Sequence, residues 1–68
     1  MSLNYRVEIC TWFPDADNWS RWQHYFTTEK IEDAEMLAKH ALTEDVRLKT
    51  KSRIISVAEH ELAVFGDD

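Results

Sequence analysis

Two acids in the stretch FPDADNWSRW, residues 13–22, stand close enough in sequence to share a metal ion. Read as a calcium-binding loop that begins at Asp15, the stretch supplies Asp17 at the third position. The fifth, sixth and twelfth positions, however, hold Trp, Ser and Phe where the loop needs an oxygen ligand, a glycine and a glutamate. Pro, Asp, Asn and Ser are also residues that form turns. We therefore expect a hairpin turn flanked by Trp12 and Trp19, and no metal site.

The sequence contains few residues in an arrangement that could support catalysis. The histidines, His24, His40 and His60, and the single Cys10 lie far apart and lack the paired spacing of zinc ligands. Gly66 is the only glycine, so the chain has no glycine-rich loop that could cradle a phosphate. A chain of 68 residues is also too short to enclose a large preorganised pocket. We predict a protein that is not an enzyme and that binds no cofactor.

Recognition of another protein is the chemistry that the residue types favour most. Tryptophan, tyrosine and arginine are enriched at the binding hot spots of protein interfaces. The hairpin region supplies Trp12, Trp19, Arg21 and Tyr25, and we predict that these four side chains form the anchor patch for a protein partner. The structural alternative is that the rings cap the edge of a small core or hold the hairpin together through cross-strand pairs.

Basic residues concentrate in one later segment. Arg47, Lys49, Lys51 and Arg53 are four of the eight basic residues, on a chain whose net charge is −5. If the segment is extended, their alternate spacing places all four charges on one side. Two functions fit this pattern: an edge strand protected from pairing with other chains, or a contact with an acidic partner, a phosphate backbone included. The negative net charge disfavours nucleic acid and anionic membranes as partners.

The elements that must position these residues follow from the periodicity of the chain. Residues 5–13 alternate with a period of two, as do residues 22–28, and both segments predict strands joined in a hairpin. Apolar residues recur at spacings of three and four over residues 31–42 and predict an amphipathic helix. Residues 53–58 predict a third strand, and residues 62–65 are compatible with a short fourth one. Residues 43–51 fit either a longer helix or a loop.

This order of elements predicts a small α+β fold, β-β-α-β with a fourth short strand left open, in which one helix packs on one face of an antiparallel sheet. Residues 1–68 are expected to form a single domain, with residues 66–68 as a frayed tail. Cys10 has no partner for an internal disulfide, and the chain shows neither an apolar run of membrane-spanning length nor a signal pattern. These features predict a cytoplasmic protein that does not contact a membrane.

The faces of the hairpin follow from a register in which paired positions sum to about 33. A single helix covers only one face, so the other face is expected in water, with Arg21 within reach of a cation-π contact to Trp12. The face toward the helix would hold Tyr5, Val7, Ile9, Phe13, Trp22 and Phe26. The other face would hold Arg6, Glu8, Cys10, Trp12, Arg21, Gln23, Tyr25 and Thr27, with Trp19 near its rim.

The stretch YFTTEKIEDAEMLAKHAL, residues 25–42, resembles small phage and prophage proteins in which a strand ending in Thr or Ser leads into an acid-rich, Ala-spaced helix. In element order, residues 5–57 are similar to the short T7 phage protein that inhibits the host RNA polymerase. The Trp-rich hairpin loop is longer here, so no binding residue is carried over. The resemblance implies only a class, small accessory proteins that act by occupying a surface on a larger partner.

These observations lead to one main hypothesis and two alternatives. We expect a small non-enzymatic protein-binding module, encoded by a phage or mobile element, that engages a larger protein through its exposed aromatic sheet face. The first alternative is a homodimer that uses the same face as its seam, which would bury more apolar area in a chain with a small core. The second is a single-stranded nucleic-acid binder, in which the rings stack on bases and residues 47–53 hold phosphates.

Overall fold

The computed structural model describes residues 4–44 and 49–66. The elements within these ranges are, in chain order, β1 (Tyr5–Phe13), β2 (Asn18–Trp19), β3 (Gln23–Thr28), α1 (Ile31–Ala41), β4 (Thr50–Ser56) and β5 (Glu61–Phe65). The predicted α+β class is confirmed, because one helix packs against an antiparallel sheet. The fourth strand that the sequence left open is present as β5. Residues 45–48, part of the segment left open between helix and loop, lie outside the described residues.

The sheet is built around β1, which pairs with β2 and β3 on one edge and with β4 on the other. β5 pairs with the outer edge of β4, and every pair is antiparallel. Lys51 and Arg53 therefore lie in an interior strand, and the expectation that these basic residues protect an edge strand is wrong. The physical reason is that residues 61–65 form a strand, so that the edge of β4 is occupied by the chain itself.

The core is small and depends on a close approach of the helix to the sheet. Val7 and Ile54, which lie opposite each other on β1 and β4, are fully buried against Ala34 and Ala38 of α1. Alanine adds no bulk, so the helix backbone comes near enough for a hydrogen bond to the strand below. The buried Ser52 hydroxyl donates to the carbonyl oxygen of Ala38 at 2.7 Å. This bond satisfies a polar group that would otherwise be costly to bury.

The pairing of β1 with β3 follows the predicted register only at its start. Val7 lies opposite Phe26, but the next residue, Glu8, lies opposite His24. Tyr25 is therefore an extra residue on β3, as in a β-bulge. From this point the paired positions are one residue out of step with the prediction.

A slip of one residue turns the following side chains to the opposite face of a sheet. Tyr25, expected on the face without the helix, instead packs against the buried cluster under α1. Trp22, expected beneath the helix, instead lies on the other face beside Arg53. Phe26, expected beneath the helix, is 48% exposed. The predicted faces of Tyr25 and Trp22 are wrong, because an extra residue in a strand leaves no mark in a pattern of alternating residue types. Phe26 keeps its predicted place opposite Val7 but is not buried there.

The segment between β1 and β2 is the turn that the sequence predicts. The N–H of Ala16 donates to the carbonyl oxygen of Phe13, and that of Asp17 donates to Pro14, both at 3.2 Å. Asp17 has φ of 51°, a left-handed conformation that Asp tolerates better than most residues. Asp15 and Asp17 are both exposed at this turn.

Gly66 ends β5 in a conformation that requires glycine. Its φ is +81°, and a Cβ atom at this position would lie 2.8 Å from the carbonyl oxygen of Thr50 and 2.9 Å from a methyl carbon of Leu42. The end of β5 is thereby held against the start of β4 and the end of the helix. The remainder of the expected tail, residues 67 and 68, lies outside the described residues.

Candidate functional site

The face of the sheet that α1 does not cover carries the three tryptophans of the chain at one end. Trp12 lies opposite Trp19 in the pairing of β1 with β2, and their ring centroids are 5.4 Å apart at an interplanar angle of 68°. This edge-to-face arrangement is one that aromatic pairs favour. Trp22, two residues after the Ser20 that follows β2, completes the group. All three indole side chains are half-buried.

Three cations from a single strand region lie over these rings. The ammonium group of Lys51 is 4.4 Å from the ring centroid of Trp19, and the guanidinium carbon of Arg53 is 4.3 Å from that of Trp22. The ammonium group of Lys49 is more distant, at 5.8 Å from Trp19. Alternate residues of a strand share one face, so these cations form one row above the indoles. We call this group the tryptophan end: Trp12, Trp19, Trp22, Lys49, Lys51 and Arg53.

Backbone hydrogen bonds explain why the tryptophans meet although the strands around them are irregular. The N–H of Ser20 donates to the carbonyl oxygen of Thr11 at 2.8 Å, and the Ser20 hydroxyl accepts from the N–H of Thr11 at 2.9 Å. On the other edge of β1, the N–H of Trp12 donates to the carbonyl oxygen of Lys49 at 2.8 Å. The Trp12 backbone is thus fixed between the hairpin return and the residue before β4, and its ring lies near both Trp19 and Lys49.

The other end of the same face consists of ion pairs. Arg6 donates to Glu59 at 2.8 Å and lies 3.3 Å from the Glu8 carboxylate, an ion pair without hydrogen-bond geometry. Arg53 donates from Nε to Glu8 at 2.9 Å and also to Glu61 at 3.3 Å. We call Arg6, Glu8, Glu59 and Glu61 the ion-pair end. Arg53 belongs to both ends.

The pKa values at the ion-pair end follow from these contacts. Hydrogen bonding from Arg6 lowers the pKa of the Glu59 carboxyl, and the same bond raises the pKa of the Arg6 guanidinium. Both shifts favour the charged forms. A depression of about 290 Å³ lies beside this pair, with Thr27 and Ile55 among its lining residues. It is shallow and bordered by charges that already bind one another.

Two buried residues lie beneath this layer of long side chains. Cys10 is 2% exposed and Ile55 is 3% exposed, although both belong to the face that the helix does not cover. Cys10 lies opposite Lys51 and Ile55 lies opposite Arg6, so each has the long side chain of a cation as its cross-strand neighbour. The face was expected to lie in water, but indoles, cations and carboxylates bury part of it.

The four residues predicted as an anchor patch are only partly brought together. Trp12 and Trp19 are in contact, and both belong to the tryptophan end. Arg21 is exposed, and in the described part of the chain it makes no ring contact with Trp12. Tyr25 lies on the helix side, where its hydroxyl donates to Glu44 at 3.0 Å, and burial followed by this bond raises its pKa.

The basic residues contribute more to the site than the sequence indicates. Lys49, Lys51 and Arg53 lie on one face, as their spacing predicts for an extended segment, and they meet the tryptophans there. Arg47 lies outside the described residues. From the sequence, the tryptophans and the basic residues were expected to form separate groups, and Trp22 was not expected at the site. One feature of the sequence could have linked the two groups. Alternate residues of one segment are cations, and tryptophans lie near the end of another predicted strand.

Metal chemistry and similarity to known proteins complete the description of the site. Among residues 4–44 and 49–66, no three His, Cys, Asp or Glu side chains come together in a way that could hold a metal ion. Within the same ranges, no helix combines the length and the apolar character needed to cross a membrane.

No protein-family model, curated protein or solved structure matches the chain.

Proposed function

We propose that this protein is a non-enzymatic binding module that docks onto a larger protein through its tryptophan end. The observation that carries the proposal is the concentration of all three tryptophans on a sheet face that the helix leaves uncovered. Tryptophan and arginine are the residue types that contribute most to binding free energy at interfaces. The same mode of action is implied by the resemblance to small phage accessory proteins.

The alternative of a purely structural role for the rings accounts for less of the arrangement. A core needs its aromatic rings beneath the helix, where Tyr5 and Tyr25 pack against the buried cluster. The indoles instead remain half-buried on the opposite face, each with a cation near its ring. Such a surface offers both apolar area and donors to a partner, and its rings are already restricted in motion, which lowers the entropic cost of binding.

Affinity capture followed by mass spectrometry tests the proposal. The bait protein is compared with the double variant Trp12→Ala with Trp19→Ala, and with Met36→Ala as a matched control, because Met36 is 61% exposed on the helix. We expect the proteins enriched by the wild type to be retained by Met36→Ala and lost with the double variant. Circular dichroism confirms that the double variant is folded. Equal enrichment by a folded double variant would remove the tryptophan end as the docking surface.

A further inference from the structure

We propose that the tryptophan end recognises an extended acidic segment of its partner, with carboxylates at alternate residues. This inference rests on the proposed function and adds the chemistry of the partner. It follows from how the charges on the helix-free face are distributed, from the spacing of the cations along β4, and from what already occupies the ring faces.

Two cations of the tryptophan end pair with no carboxylate of residues 4–44 and 49–66. Lys49 and Lys51 lie near Trp12 and Trp19, and no carboxylate of the described residues forms an ion pair with either lysine. The contrast with Arg6 and Arg53 is direct, since both of these guanidinium groups bind carboxylates. A ring attracts a cation but does not neutralise it, so no group of the described residues cancels the charge of these two ammonium groups.

The cations are regularly spaced along the chain. Lys51 and Arg53 are alternate residues of β4, and Lys49, directly before the strand, continues the same spacing and also lies near an indole. A strand rises about 3.3 Å per residue, so alternate attachment points repeat every ~6.6 Å. A partner segment in extended conformation repeats its own alternate side chains with the same period. Acidic residues at every second position can therefore face the row of cations in register. The residues between these acids then point away from the sheet.

Single-stranded nucleic acid fits the surface less well, although it also combines negative charge with affinity for aromatic rings. Base stacking needs a free ring face, whereas Lys51 and Arg53 already lie over the rings of Trp19 and Trp22. A polyanion that continued along the sheet would also meet Glu8, Glu59 and Glu61, on a chain with a net charge of −5. A short acidic segment of a protein needs no free ring face and, unlike a long polyanion, does not have to continue along the sheet past Arg53.

A second copy of this chain is also a weaker candidate. Stacking two copies through this face would have to bring the lysines of one against the carboxylates of the other. Those carboxylates already accept hydrogen bonds from Arg6 and Arg53. Their charge is therefore partly neutralised, and they attract lysines less strongly than the carboxylates of a separate acidic segment would.

Fluorescence titration with synthetic peptides provides the test, because every tryptophan of the chain lies at this site and reports on it. The probes are the blocked peptide TEFETES, its rearranged form TFTEEES with contiguous glutamates, and its basic form TKFKTKS. We expect TEFETES to change the indole emission and to bind about threefold more tightly than TFTEEES, with TKFKTKS inactive, since each exposed charge contact contributes a factor of a few. Raising the ionic strength should weaken binding.

Variants of the lysines connect this result to the structure. Lys49→Gln with Lys51→Gln should weaken TEFETES binding by about fivefold or more, whereas the exposed control Lys30→Gln should leave it unchanged. Reversal of the charges, Lys49→Glu with Lys51→Glu, should transfer binding from TEFETES to TKFKTKS. Circular dichroism establishes that each variant is folded.

Several results would overturn the inference. Unchanged TEFETES affinity in the folded glutamine variant, or equal binding of TKFKTKS to the wild type, would exclude recognition of acids. Tighter binding of a seven-nucleotide oligothymidylate than of TEFETES would assign the surface to nucleic acid. Sedimentation of the wild type as a dimer and of the glutamine variant as a monomer would assign it to a second copy.

Two variants distinguish an error about the acidic partner from an error about docking through the tryptophan end. If Trp12→Ala with Trp19→Ala loses the captured partner while Lys49→Gln with Lys51→Gln retains it, the tryptophan end remains a docking surface but its partner is not acidic. If both variants retain the partner, the docking surface itself is lost.

Discussion

The two ends of the helix-free face use their positive charges in opposite ways. At the ion-pair end, Arg6 and Arg53 bind carboxylates of the same chain, with Arg6 to Glu59 at 2.8 Å and Arg53 to Glu8 at 2.7 Å. At the tryptophan end, Lys49 and Lys51 lie over indoles. A carboxylate cancels the charge of its partner, whereas an aromatic ring only orients it. Among the described residues, the cations of one end thus bind carboxylates of the same chain, and the two lysines of the other end do not.

Arg53 joins these two ends, because its guanidinium contacts carboxylates and an aromatic ring together. It binds Glu8 and Glu61 and lies 4.3 Å from the ring centroid of Trp22. A planar guanidinium can donate in its plane to carboxylates while its face rests on a ring, which an ammonium group cannot do. The position of Trp22, and with it the outline of the tryptophan end, therefore depends on the ion pairs beside it.

The largest effect should come from removing the support that both ends share. Ile54→Ala deletes a fully buried side chain under β4 and should destabilise the fold by about 3 kcal/mol, a large part of the stability of so small a domain. Urea unfolding followed by circular dichroism and by tryptophan fluorescence should give coincident transitions. A fluorescence transition that precedes the loss of secondary structure would show that the tryptophan end unfolds independently of the core.

A smaller effect is expected where the two ends meet. Arg53→Ala leaves the largely buried Glu8 carboxylate with a weaker partner and removes the cation from Trp22, which should cost about 2 kcal/mol. Arg53→Lys keeps the charge but loses the planar geometry, and we expect about half of that loss. Urea midpoints measure both variants, with Lys30→Ala as the exposed control. Equal midpoints for Arg53→Ala and the control would show that the two ends are not coupled through Arg53.

Removing one cation from the tryptophan end should have a modest effect on stability. Lys51→Gln removes the ammonium group 4.4 Å from the centroid of the Trp19 ring and should cost about 0.5 to 1 kcal/mol, with a change in indole emission. Because no carboxylate of the described residues is released, the stability difference from wild type should change little between low and high salt. A difference that disappears in high salt would instead indicate an ordinary ion pair.

The smallest effect should appear in acid and only at the ion-pair end. The Arg6 guanidinium lowers the pKa of Glu59, so the stabilisation from this pair is complete above the unfolded-state pKa of glutamate, about 4.3, and is lost as pH falls through the lower folded-state pKa. Glu59→Gln should therefore be less stable than wild type at neutral pH and equal to it in strong acid. Urea midpoints at a series of pH values measure this. A constant difference at every pH would contradict the assignment.

Most elements of the fold could be predicted because their signals are local. The period of two over residues 5–13 predicts β1 at the bounds observed, and the three- and four-residue spacing predicts α1 to within a residue of its end. The candidate site could be predicted only in part. Trp12 and the alternate cations follow from strand periodicity, whereas Trp22 and Tyr25 were assigned to the wrong faces because an extra residue in β3 reverses the alternation.

The sequence by itself determined the class of fold and the periods of β1 and α1. It placed the four cations of the basic segment on one side only on the condition that the segment is extended. Only the tertiary structure decided which rings those cations would meet. The physical reason is that face assignment depends on pairing between strands, and a single bulge between Val7 and Glu8 exchanges Tyr25 for Trp22. The interior position of β4 was also a tertiary outcome, since it required β5 to pair along its outer edge.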